Sequence, residues 1–312
     1  MSAARRAGKA PNDGAPVRVT RRVLRRRLPL PALDAAGDKE SRGRVLVVGG
    51  SRLVPGAVLL AGVAALRAGA GKLQLATVAE AAVPLGLAVP EALVAGLPAT
   101  AAGEIAGRGA AEVLGEYAEG AGAVLVGPGA ADKSEAGALV EALVPRLGGD
   151  AVLVLDGAAL TALRDRPGAL AALGGRAVLT PHAGEMASAL GVPKADVEAD
   201  PPAVARRAAA HFGAVIALKG ADTFIAEPPA AGGACYHFAG GSVGLGTSGS
   251  GDTLSGIVAG LAARGASATA AAAWGVWAHG TAGERLAARM ATVGFLAREL
   301  LAEVPALVGR EG

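Results

Sequence analysis

The chain has 312 residues, 30 Lys plus Arg against 27 Asp plus Glu, a formal net charge of +3, and 52% apolar residues that include only four Phe, two Tyr and two Trp. That length supports one large α/β domain or two small ones around a full core, which must be filled by Leu, Val and Ala. A single cysteine, Cys235, excludes an intrachain disulfide and a cysteine-based metal centre, and no run of 18 apolar residues lacks a charge or several glycines, so a membrane span is excluded.

Arg pairs near the start lack the apolar stretch of a signal peptide, and a soluble, cytoplasmic protein is expected. Charge is unevenly spread. Residues 1–30 hold nine basic side chains against Asp13, leaving 21 basic and 26 acidic residues for the remainder, a net of −5. Without interleaved aromatics this reads as a solvated extension, with no specific nucleic-acid partner. Residues 1–40 are therefore expected to be a basic, flexible extension, disordered to about residue 20, and 41–312 a single domain.

Val23, Leu24 and Leu28 suggest a short helix ending at Pro29 and Pro31. Arg44–Val48 is a continuous apolar strand that runs into Gly49-Gly50-Ser51, and a helix over 57–68 ends at Gly69 and Gly71. Further strands are predicted at 73–77, 92–96, 123–126, 151–155, 177–179 and 214–218, with helices at 104–118, 133–145, 158–163 and 201–212 between them. Alternating β and α implies a mainly parallel sheet with helices on both faces, whose ligands bind beyond the carboxyl ends of the strands. Strands at 222–227 and 234–238 flank the turn-rich PPAAGG as an antiparallel edge, and helices follow at 251–263, 267–289 and 292–303.

The strand ends carry the chemistry. The first delivers Ser51 and then Pro55-Gly56-Ala57, small residues that leave room for a ligand or for close packing. Strand 123–126 ends in Gly127-Pro128-Gly129, and strand 151–155 in Asp156, which could bind a metal or substrate or cap the following helix. After strand 177–179, Thr180 suits a helix N-cap and Pro181 its first position, which puts His182 and Glu185 on one face at i and i+3. As a zinc pair these two lack a third ligand. Strand 214–218 delivers Lys219, Gly220, Ala221, Asp222 and Thr223, whose ammonium suits a nucleotide phosphate.

The densest glycine turn, GLGTSGSGD over 244–252, joins a helix with Leu254, Ile257, Val258 and Leu261 at helical spacing. Converging amides at a helix N-terminus suit an anion. GLGTSG formally matches a dinucleotide fingerprint but lacks the acidic residue about 20 positions later, and Gly71-Lys72-Leu73 breaks any P-loop pattern. Asp252 beside these amides can be a helix cap or a base.

Taken together, RGRVLVVGGS (42–51), VGPG (126–129), LDGAAL (155–160), LTPHAGEMASALG (179–191), LKGADTFIA (218–226), GTSGSGDTLSGIVAGL (246–261) and AHGTAGE (278–284) resemble the ADP/ATP-dependent NAD(P)H-hydrate dehydratases of the ribokinase-like superfamily. Leu245-Gly246 stands where that family usually has Met-Ala before the shared Thr247, and Val54-Pro55 where it has an aromatic. The resemblance implies phosphorylation of NADHX or NADPHX, nicotinamide rings hydrated at C6, by ADP or ATP, followed by phosphate elimination. It implies Asp252 as base, Gly249, Ser250 and Gly251 as anion hole, and Lys219 to Thr223, with Gly251, as nucleotide site. It further implies Ala57, Gly129, His182 and Asp252 beside the substrate, Mg²⁺ oriented by Glu185 through water, a homo-oligomer, with a tetramer favoured, and a functional link to a separate epimerase. No epimerase domain precedes residue 40, so a stand-alone dehydratase is expected. A ribokinase-like kinase of a hydroxymethylpyrimidine or hydroxyethylthiazole would share GSGD.

Overall fold

The computed structural model describes residues 14–32, 36–166 and 168–309. In chain order its elements are β1 (Val17–Arg18), α1 (Arg21–Arg27), β2 (Arg44–Val48), α2 (Gly56–Arg67), β3 (Lys72–Val78), α3 (Ala79–Ala88), β4 (Ala92–Leu97), α4 (Gly107–Glu119), β5 (Ala123–Val126) and α5 (Lys133–Leu143). There follow β6 (Val152–Leu155), α6 (Gly157–Thr161), β7 (Ala177–Leu179), α7 (Ala183–Leu190), α8 (Lys194–Ala199), α9 (Pro201–Phe212), β8 (Val215–Leu218), β9 (Thr223–Ala226), β10 (Cys235–Phe238), α10 (Ser250–Ala263), α11 (Ala268–Arg289) and α12 (Ala297–Val308).

All ten strands form one sheet in the order β1-β10-β9-β8-β7-β6-β5-β2-β3-β4. From β8 to β4 every pairing is parallel, while β9 runs antiparallel to both β8 and β10. Alternate side chains face opposite layers. Val45 and Val47 pack with Leu125, Val154 and helices α2, α10 and α11, whereas Leu46 and Val48 pack with Leu153, Leu155 and helices α4, α5 and α9. Both faces being buried, the central strands read as unbroken apolar runs.

Small residues allow the first layer to close. A Cβ on Gly256 would lie 2.2 Å from the Ala61 carbonyl oxygen, and one on Gly260 2.4 Å from that of Ala65, so α10 rides directly on the backbone of α2. This contact sets the N-terminus of α10 above the strand ends.

Three local expectations are corrected. Disorder to residue 20 gives way to β1, which pairs with β10 through Val19 N–H donating to His237 O at 2.7 Å; residues 1–13 lie outside the described part. Leu24 is fully buried in α1, and Trp274 Nε1 donates to Leu28 O at 2.7 Å, which docks the segment on α11. The last helix spans 297–308 rather than 292–303, continuing through Pro305, and α3 forms despite Pro84.

Candidate active site

The cleft forms where β6, β7 and β8, adjacent and parallel, end beneath the first turn of α10. Each strand hands over one polar group. Asp156 follows β6, Thr180 follows β7, and Lys219 follows β8, the last fixed by its N–H donating to Pro181 O at 2.8 Å. Asp156 begins α6 but makes no capping hydrogen bond. Its Oδ1 instead accepts from the buried Thr180 hydroxyl at 2.9 Å and from Lys219 Nζ at 3.4 Å. Lys219 Nζ also lies 3.9 Å from Glu185 Oε2, so one ammonium sits between two carboxylates.

Thr180 is consequently not the cap of α7. His182 takes that position: its Nδ1 accepts from the N–H groups of Gly184 and Glu185 at 3.0 and 3.2 Å, and Glu185 Oε2 accepts from His182 N–H at 2.9 Å. The reciprocal bonds form a capping box with histidine as the cap. They aim the outer edge of the imidazole into the cleft, with Nε2 3.5 Å from Glu185 Oε1.

Opposite lies the glycine turn. Gly249 has φ +86°, a left-handed conformation that suits glycine, and it precedes α10 without any side-chain cap. Ser250 N–H is committed to Thr247 O at 3.2 Å, while helix geometry leaves the amides of Gly251 and Asp252 without intrahelical acceptors. The position of Gly251 is tight: a Cβ there would sit 3.3 Å from Lys219 Nζ. Asp252 therefore faces the cleft beside two unpaired donors. Burial, and next the charge of Asp156, push its carboxyl up to about 6, against the opposing pull of Lys219.

The cleft encloses about 820 Å³ and is lined by His182, Glu185, Lys219, Gly220, Ala221, Thr223, Ser250, Gly251 and Asp252 among the expected residues. It is completed by Asp156, His279 and the loop 240–247. Four expected residues do not line it. Gly249 shapes the turn from behind, and Asp222 turns away to accept from His237 Nε2 at 2.8 Å. Gly129 and Ala57 meet each other, a Cβ on Gly129 falling 2.9 Å from Ala57 Cβ, and Leu60 of the same helix abuts Gly249. Ala57 is buried, whereas Gly129 above it is half-exposed.

Among the described residues no cluster of three His, Cys, Asp or Glu could hold a metal ion by itself. Asp156 was legible as a candidate from its place at a strand end. His279 lay within the AHGTAGE stretch that carries the resemblance, but nothing local to that stretch assigned it a role.

Residues 45–306 match the NAD(P)H-hydrate dehydratase family. The chain is 51% identical to the ADP-dependent (S)-NAD(P)H-hydrate dehydratase of Xanthomonas campestris over 95% of its own length and 98% of that protein. It is 39% identical to a bifunctional NAD(P)H-hydrate repair enzyme of Moorella thermoacetica, of which it spans 52%. A crystal structure of the ADP/ATP-dependent NAD(P)H-hydrate dehydratase from Bacillus subtilis, co-crystallized with ATP/Mg²⁺, superposes with a TM-score of 0.77 at 28% identity, covering 94% of this chain and 98% of that one. With a ribokinase-like fold and a family match over most of its length, the chain belongs to the NAD(P)H-hydrate dehydratases.

Proposed function

We propose that the protein restores NADH or NADPH from the (S)-hydrate at the expense of ADP or ATP. One observation carries the reading: a carboxyl with raised proton affinity, Asp252, stands beside unpaired helix-terminal amides and across from Lys219 in one cleft.

In this reading Asp252 accepts the proton of the substrate's 6-hydroxyl as that oxygen attacks the terminal phosphorus of the nucleotide. The bond from phosphorus to the leaving nucleotide oxygen breaks, and the amides of Gly251 and Asp252 receive the charge that gathers on the phosphoryl oxygens. Phosphate then leaves C6 with its bonding pair, a proton leaves C5, and the ring double bond returns. A carboxyl poised near 6 suits a base that must be ionised at neutral pH yet bind a proton during the reaction.

Lys219, with Gly220, Ala221 and Thr223, binds the nucleotide phosphates. Asp222 reaches them only through its backbone, since its side chain pairs with His237. His182 borders the substrate, and Ala57 and Gly129 are assigned to the same substrate side, beyond the residues that line this cleft. Glu185, whose carboxylate borders the cleft, would hold Mg²⁺ through water, in keeping with an ion that keeps most of its waters. An ion held there would neutralise charge on the phosphates. Catalysis is assigned to residues 41–312, in keeping with a cleft lined by no described residue before 41. A homo-oligomer, with a tetramer favoured, a cytoplasmic location and a functional link to an epimerase complete the proposal; the names of the bifunctional relatives support the last.

The test is recovery of reduced-nicotinamide absorbance from each hydrate with ADP, ATP or neither. Turnover without nucleotide, or none with either hydrate, overturns the reading. Accumulation of a stable phosphorylated product would instead indicate a kinase.

A further inference from the structure

His279 belongs to the AHGTAGE stretch and has no part in the scheme above. It lies on α11, 9% exposed at the edge of the cleft, with Nε2 2.9 Å from Ser250 Oγ at the head of α10. Ser250 is itself 5% exposed and is the first residue of the helix whose next two amides open onto the cleft.

The turn it belongs to needs such a tether. Gly246 and Gly249 give it wide backbone freedom, and α10 has no side-chain cap to hold its start. Two bonds hold Ser250: its N–H to Thr247 O, within the same loop, and its hydroxyl to His279. The second is the hydrogen bond that ties the turn to a rigid body, since α11 spans 22 residues and is packed along most of its length.

We propose that His279 is a positioning residue for phosphoryl transfer: through Ser250 it fixes the first turn of α10 so that the Gly251 and Asp252 amides and the Asp252 carboxylate hold one geometry. The inference rests on the proposed reaction for its kinetics, but not for its structural content. Burial keeps the imidazole neutral, pushed down to about 4, so it serves as a hydrogen-bonding strut and carries no charge to the phosphate.

The experiment compares Ser250→Ala, His279→Ala, His279→Gln and the double alanine variant. Expected is a fall in kcat of about 10- to 100-fold for either alanine change, with the KM for the hydrate within about threefold of the parent, because positioning acts on the transition state. The double variant should be no worse than about twofold below the weaker single one, since both remove one contact. Glutamine, whose amide can reach Ser250, should recover most of the loss. Ser250→Ala deletes a single oxygen, so it keeps the test valid if His279→Ala fails to fold.

Multiplicative effects in the double variant, or an unchanged kcat in Ser250→Ala, would overturn the proposal. Amide hydrogen exchange separates this from the reaction itself. Faster exchange at Thr253, the first hydrogen-bonded amide of α10, in Ser250→Ala supports the tether even if no dehydration is found, and unchanged exchange there refutes it.

Discussion

Replacing Asp252 by Asn separates the base from the helix cap most cleanly. A cap at this position would stabilise α10, and its loss would cost about 1 kcal/mol. The structure argues the opposite. Burial and the Asp156 charge raise the carboxyl from 3.8 to about 6, so the folded protein binds this proton more tightly than the unfolded chain does. Stability is therefore lost as pH rises from about 4 to about 6, by up to ~3 kcal/mol at about 1.4 kcal/mol per pH unit. Asp252 remains partly open to the cleft and water screens some of that cost, so about 1–3 kcal/mol is expected. Asp252→Asn removes the buried charge and should raise Tm at pH 8 by several degrees, while leaving it nearly unchanged at pH 4. The same variant should lose about 10² to 10⁴ in kcat, and the parent's kcat/KM should fall below about pH 6 and stay flat above it. Thermal melts at both pH values and a pH–rate profile decide the matter. A lower Tm at pH 8, or more than about a tenth of the parent kcat retained, would refute the assignment of Asp252 as a buried base.

Lys219→Met should weaken nucleotide binding by at least about tenfold in a calorimetric titration, because it leaves Asp156 and Glu185 facing the phosphates without a cation. Asp156→Asn should move the acid limb of the pH–rate profile to lower pH, since the Asp156 charge is the second cause of the raised Asp252 carboxyl; an unmoved limb would show the two to be uncoupled. Gly256→Ala pushes a methyl group to within 2.2 Å of the Ala61 carbonyl oxygen and should destabilise the fold by about 1–3 kcal/mol or more, read from urea denaturation. Trp274→Phe strands the Leu28 carbonyl and should cost about 1–3 kcal/mol with kcat unchanged; deletion of residues 1–30 should lower Tm further, because Leu24, Leu28 and Leu30 leave the core.

The parallel sheet was legible because strands buried on both faces leave a simple trace. Arg44–Val48, Ala123–Val126 and Val152–Leu155 are apolar runs ended by glycine or aspartate, and each was placed within a residue or so. Helix α3 was hidden by Pro84 and Gly86, which argue locally against a helix that tertiary packing nonetheless maintains. The basic N-terminal stretch was misleading for a related reason. Its arginines dominate the composition, while Leu24 and Leu28, spaced to bury one face, decide where it goes. The start of α7 was misplaced because Thr180 had a better partner than its own helix, an aspartate 24 positions earlier. No local rule can register that competition.

The same distance in sequence explains why the components of the site were legible but their coupling was not. Asp252, Lys219, His182 and Glu185 each announce themselves by motif, and LDGAAL contains Asp156 but leaves it open between ligand and helix cap. That carboxylate binds Thr180, draws Lys219 to 3.4 Å, and repels Asp252, so one side chain both anchors the cation and raises the proton affinity of the base. Lys219 is thereby oriented before any nucleotide arrives, which lowers the reorganisation needed in the transition state. Sheet order makes the arrangement possible: β6, β7 and β8 are neighbours, so residues 156, 180 and 219 meet although three helices, α7, α8 and α9, separate the last two in the chain. A motif can bring such a residue to notice; what it tunes is found only once the strands are laid side by side.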